Sequence, residues 1–97
     1  GNLASMSALF RSVPKLAIVV PCYNEEEIFP YCLRELTVIL ADMMKDDLIQ
    51  AGSFILFVDD GSKDATWNLI QKAVSDSSCV QGLKLSRNEG HHSALFA

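Results

Sequence analysis

Three apolar runs punctuate the chain, and a polar loop follows each. Leu16-Ala17-Ile18-Val19-Val20 is the first, Phe54-Ile55-Leu56-Phe57-Val58 the second, and a weaker alternation from Gln81 to Leu85 the third. Unbroken apolar runs of this length read as strands buried on both faces, which points to a parallel sheet covered by helices. Pro21 is expected to stop the first strand, because it cannot donate to a ladder. Between the first two runs, Leu33, Leu36, Leu40 and Met43 recur at helical spacing and form one apolar stripe. That helix is predicted to begin at Pro30, which the first turn tolerates, and to end near Lys45 to Asp47. A second helix is predicted from about Asp64 to Ser75, with Trp67, Ile70 and Val74 on one face. His91 to Ala97 reads as the first turns of another. The order is βαβαβ and the start of a helix, a Rossmann-like α/β arrangement expected as three layers, α/β/α, around parallel strands. Residues 1–13 read as a tag and N-terminal extension, and residues 14–97 as the domain.

Composition narrows the picture. A chain of 97 residues allows one small domain or part of a larger one, and at this size folding buries only roughly 60–65% of the surface the unfolded chain exposes. Apolar residues make up 49% and mean hydropathy is +0.20, a surplus that suggests some apolar surface is covered by something else. The net charge of −4 argues against a nucleic-acid partner, which would call for a basic stripe. Any anionic ligand must be met locally by Lys84, Arg87, the histidines or backbone amides. Three cysteines without metal-type spacing favour free thiols in a reducing compartment. No apolar stretch approaches the ~20 residues that cross a bilayer, and the first residues lack a signal-peptide layout.

The chemistry lies in the loops. Right-handed crossovers bring PCYNEEE (21–27), DDGSKD (59–64) and SRNEGHH (86–92) to one edge of one sheet, where open α/β sheets hold their ligands. Tyr23 offers a flat apolar face. Glu25 and Asp59 offer acceptors for ring N–H and ribose hydroxyls, with the amide of Asn24 and the carboxylate of Asp60 in the same two loops. Loop three carries Arg87, Asn88, His91 and His92, with Gly90 allowing close backbone approach, and Arg87 and a helix start after Gly90 offer donors to phosphate. Plainer roles compete with these. Asp60 and Ser62 would cap a helix start, Tyr23 would pack on the sheet edge, and Glu26 and Glu27 would be solvated. His91 would be a loop cap, His92 a surface residue, Trp67 a core or subunit contact, and Cys22 a buried thiol. There is no G-x-G-x-x-G after the first strand and no Gly-rich Lys-Ser/Thr loop. A phosphoacceptor receiver domain would need a further Asp at a strand end, where this chain has Ser86.

Taken together, VVPCYNEEE, FVDDGSKDAT and LSRNEGHHSAL resemble the family-2 inverting glycosyltransferases of GT-A fold, and within them the branch that makes polyprenyl- or dolichyl-phosphate sugars. The resemblance covers residues 16–97. It implies the βαβαβ nucleotide-binding half of that fold and an enzyme that moves a hexose from a UDP- or GDP-linked sugar to an acceptor, a polyprenyl phosphate. By the same likeness Pro21, Tyr23 and Glu25 surround the base and ribose, with Asn24 in the same loop, and Asp59 bonds the base with Asp60 as its loop partner. Arg87, Asn88, Gly90 and His91 match the R-N-x-G-H segment bordering the diphosphate. Glu89 departs from the aromatic residue common in that branch. The resemblance also implies Mg²⁺ or Mn²⁺, held by a D-x-D motif beyond residue 97, so that neither metal ligands nor catalytic residues are expected here. It places the parent protein in the cytoplasm, at the cytoplasmic face of a membrane. The rival readings are a nucleotidyltransferase, which would want a basic Gly-rich first loop, and a non-catalytic nucleotide-binding or assembly module.

A three-stranded sheet cut before its remaining strands leaves an apolar edge and a face uncovered, so the isolated chain is expected to form a homo-oligomer. Light scattering at high concentration should give a mass above that of one chain; a monodisperse monomer would contradict this.

Overall fold

The computed structural model describes residues 12–88 and the backbone of 91–96, with side chains described through Ser86. Its elements are β1 (Ala17–Cys22), α1 (Phe29–Lys45), β2 (Phe54–Asp59), α2 (Thr66–Asp76), β3 (Val80–Asn88) and β4 (His91–Phe96). They form one sheet in the order β1-β2-β3-β4, with the first three strands parallel and β4 antiparallel to β3. The Rossmann-like βαβαβ expected from the apolar runs is present.

Strand order decides where the helices go. Successive right-handed crossovers that advance in one direction place both helices on the same face. Burial along the strands agrees. In β2, Ile55, Phe57 and Asp59 are buried while Phe54, Leu56 and Val58 are half-buried. In β1, Ala17, Val19 and Pro21 are exposed and Cys22 is buried. One core therefore forms between the helices and the sheet, from Cys22, Phe29, Leu40, Ile49, Ile55, Phe57, Ile70, Ala73 and Val80. Phe29 of α1 meets Phe57 of β2 edge-on, ring centroids 4.8 Å apart, a favoured aromatic geometry. Two of the three expected layers are thus in place, and among the described residues no helix covers the opposite face.

Helix α1 buries its stripe through Leu40, with Leu33, Leu36 and Met43 packed against the core. It ends in a Schellman-type turn: Asp47, at φ +56°, donates to the Met44 carbonyl, and Leu48 donates to the Met43 carbonyl. At the lower end of the sheet, the Leu16 N–H donates to the buried Ser53 hydroxyl at 2.9 Å, which fixes the start of β1 beside β2.

Two expectations need correction. Pro21 lies inside β1 rather than stopping it, because β1 is the edge of this sheet and an edge tolerates a residue without an N–H. The stretch after Gly90 is a strand, not a helix, and β3 runs on through Ser86, Arg87 and Asn88 instead of turning into a loop. Leu85 pairs with Ala94 and Asn88 with His91. Residues 91–96 satisfy their backbone by pairing with the edge of β3 that β2 leaves free. Glu89 and Gly90 lie outside the described residues.

The coverage of a single face has an energetic signature. Ile55→Val is expected to cost about 1 kcal/mol of unfolding free energy, and Val19→Ala, on the bare face, less than about 0.5 kcal/mol. Urea titrations giving equal costs would contradict the two-layer core.

Candidate functional site

Strands β1 and β2 finish level, since Cys22 pairs with Asp59 and Asp59 in turn with Lys84 on β3. Residues paired in register share a face, so all three side chains lie on the helix side. Beyond this row the chain leaves β1 as loop one, residues 23–28, and leaves β2 as loop two, residues 60–65. Tight turns strand their backbone N–H groups, and each needs an acceptor.

The two loops supply one another. The Asp60 N–H donates to the Cys22 carbonyl at 2.9 Å, extending the ladder past its last register pair. The Asn24 N–H donates to the Ser62 hydroxyl and the Lys63 N–H donates to Asn24 Oδ1, both at 2.8 Å. The Glu25 N–H donates to Thr66 Oγ1 at 2.8 Å, and the Glu26 N–H to Asp64 Oδ2 at 3.2 Å. Thr66, fully buried, donates its own hydroxyl in a hydrogen bond to Asp64 Oδ1. Asn24 sits at φ +50° and Gly61 at φ +83°, left-handed conformations that asparagine and glycine accept most readily. A Cβ on Gly61 would meet nothing within 4 Å, so glycine serves the backbone angle there and not a close contact.

The sequence-predicted residues divide by position. Tyr23 projects from loop one, half exposed. Glu25 is half-buried, and its carbonyl accepts from the Phe29 N–H to start α1. Pro21 lies exposed on the helix-free face. The side-chain oxygen of Asn24 is engaged with loop two. Asp59 is fully buried; its Oδ2 accepts from the Ser62 N–H at 3.2 Å, and Oδ1 is buried with no hydrogen-bond partner among the described residues. Asp60 follows at half burial. The backbone of Arg87 lies at the same end of the sheet, three residues past Lys84, or about 10 Å further along the strand. The side chains of Arg87, Asn88 and His91, and all of Gly90, lie outside the described residues. The helix start expected to meet a phosphate after Gly90 is replaced by β4. Lys84 Nζ rests 5.8 Å from the Trp67 ring centroid, and Trp67 packs against the core.

Ser62, Asp64 and Thr66 carry more of the site than their sequence context conveyed. Ser62 reads as a helix cap and Asp64 as a complement to the helix dipole, and nothing local marks Thr66. Asking which side chains satisfy the amides of loop one would have pointed to them. Partial burial works to raise the Asp64 carboxyl, but the Thr66 hydroxyl, then the Thr66 and Glu26 amides, outweigh it and hold the group below its ordinary range.

The acids of loop one border a hollow of about 230 Å³ lined by Asn24, Glu25, Glu26, Glu27, Ile28 and Asp64. Among the described residues no three His, Cys, Asp or Glu side chains are grouped to hold a metal ion, and both Asp64 oxygens already accept hydrogen bonds from loop atoms. This rim does not fit the divalent cation that the resemblance implies.

The fold and edge define a Rossmann-like α/β unit whose two acidic loops close the carboxyl end of a parallel sheet. The chain belongs to glycosyl transferase family 2, whose profile it matches over residues 17–97. Uncharacterized glycosyltransferase YkoT of Bacillus subtilis (strain 168) is 51% identical over 87 residues, covering 90% of this chain and 26% of that protein. The chain thus spans about a quarter of the length of this curated relative.

Because the Asp64 carboxyl is depressed in the folded state, its contribution to stability is present above the ordinary aspartate value of about 3.9 and is lost as pH falls through the lower folded value. The melting temperature should therefore fall more steeply below pH 4 in the wild type than in Asp64→Asn. Parallel curves would contradict the lacing role of this carboxylate.

Proposed function

We propose that the parent protein transfers a hexose from a UDP- or GDP-linked sugar to an acceptor, a polyprenyl phosphate, at the cytoplasmic face of a membrane. This chain grips the nucleoside. Family membership supports the transfer reaction, and the resemblance of the three loops supports the donor and acceptor class. No helix among the described residues is long and apolar enough to cross a membrane, so in this reading any attachment is made by other parts of the protein.

One observation carries the nucleoside reading. Among the described residues Asp59 Oδ1, a buried carboxylate oxygen, has no donor, and it lies at the edge where such sheets bind ligands. A buried, unsatisfied acceptor is costly, and the ring N–H of a pyrimidine or guanine base is the kind of donor that relieves it. Tyr23 presents its ring to the flat face of the base, Glu25 accepts from a ribose hydroxyl, and Pro21 and Asn24 shape the same loop. Asp60 holds loop two to β1 through its backbone. The resemblance assigns Arg87, Asn88, Gly90 and His91 to the diphosphate. The attack on the anomeric carbon and the neutralisation of the leaving diphosphate belong to residues outside this set.

Calorimetry with uridine and guanosine diphosphate tests this. Asp59→Ala is expected to weaken binding of the preferred nucleotide by about 1–3 kcal/mol through loss of a charged hydrogen bond. Tyr23→Ala should weaken it by about 1–3 kcal/mol through lost stacking, with an unchanged circular dichroism spectrum. Unchanged affinity in both variants would remove this edge from the donor site.

A further inference from the structure

A second hollow, of about 120 Å³, opens behind loop one between the end of β1 and the first turns of α1. Its walls include two thiols, Cys22 and Cys32, with Glu25, Phe29 and Phe57 around them. Cys22 closes β1 on the helix side and is buried; Cys32 lies one turn into α1 and is half-buried. The hydrogen bond of Cys22 Sγ is a weak one, 3.6 Å to the Val20 carbonyl of its own strand, so the sulfur is not held by a strong partner. Burial pushes the Cys22 thiol up to about 11, and the neighbouring Cys32 adds to that rise ahead of Asp59 and Glu25. The two residues line one cavity.

We propose that Cys22 and Cys32 form a dithiol modification site that a hydroperoxide converts, reversibly, into a disulfide lying beneath loop one. The half-exposed Cys32 sulfur attacks the peroxide O–O bond and becomes a sulfenic acid, and the peroxide leaves as an alcohol, or as water from hydrogen peroxide. The Cys22 sulfur then attacks the Cys32 sulfur, the S–O bond breaks, and the departing hydroxide takes the Cys22 proton to leave as water. Two thiols give up two electrons and two protons, and the peroxide accepts them. Both cysteines line the same open hollow, and closing the bond brings their Cα atoms to within about 4.4–6.8 Å. The bond closes the chain across residues 22–32, tying the frame of Tyr23, Asn24 and Glu25 to α1. It does not depend on the nucleotide reading.

The third thiol is an internal control. Cys79 contacts the Ser77 hydroxyl at 3.2 Å, and its carbonyl accepts from the Ile55 N–H near the opposite end of β2. The chain is treated with hydrogen peroxide, alkylated with iodoacetamide under denaturing conditions, digested and weighed by mass spectrometry. The expected product has lost two hydrogens, joins Cys22 to Cys32 within one chain, retains an alkylated Cys79 and reverts with dithiothreitol. Cys32→Ser should abolish the link, and Cys79→Ser should leave it intact. Full alkylation of Cys22 and Cys32 after peroxide treatment, or linkage to Cys79 or between chains in their place, would overturn the proposal. Phenylarsine oxide, which bridges neighbouring thiols, should add once to the native wild type and not to Cys32→Ser; failure to add to the wild type would also overturn it.

Discussion

The reciprocal pair between Asn24 and loop two is the constraint on which this edge of the molecule depends. Asn24 donates its backbone N–H to Ser62 and accepts the Lys63 N–H on its side chain, and it does so from a left-handed conformation. A left-handed L-residue costs roughly 1–2 kcal/mol. Two good hydrogen bonds, supported by the Glu25–Thr66 and Glu26–Asp64 bonds, are of a size to offset that. Loops rich in carboxylates would otherwise repel one another. Here Asp59 turns Oδ2, and Asp64 both oxygens, toward amides, so part of that negative charge is met inside the structure.

The sheet positions this lacing. Register aligns Cys22, Asp59 and Lys84 in one row, and each strand delivers its loop just beyond it. The helices hold the row from behind through Phe29 and Ile70, packed with Phe57 of β2, while among the described residues no helix covers the other face of the sheet. The chain belongs to glycosyl transferase family 2, and in the reading proposed above the nucleoside end of the donor meets residues from these two adjacent loops.

Much of this was legible in the sequence, for identifiable reasons. The apolar runs marked β1, β2 and the core of β3, and the i, i+3, i+7 stripe marked α1, because each signal is local and periodic. The position of the acidic loops at one edge followed from the handedness of crossovers. What escaped was decided by contacts distant in sequence. Thr66 and Glu25 are forty-one residues apart, and no local pattern links them. Which face the helices cover depends on strand order, which no single run encodes. The residues 91–96 are a short stretch with apolar positions that suit helix or strand equally, and the free edge of β3 decided between them.

Native-state hydrogen exchange tests most directly whether the two loops are one interlocked unit. In the wild type, the amides of Asn24, Glu25 and Lys63 should exchange together and far more slowly than open loop amides. In Asn24→Ala, protection at Glu25 and Lys63 should collapse while that of Ile55 and Phe57 in β2 persists. Fast exchange at these loop amides in the wild type, or protection at Glu25 and Lys63 that survives the substitution, would contradict the account.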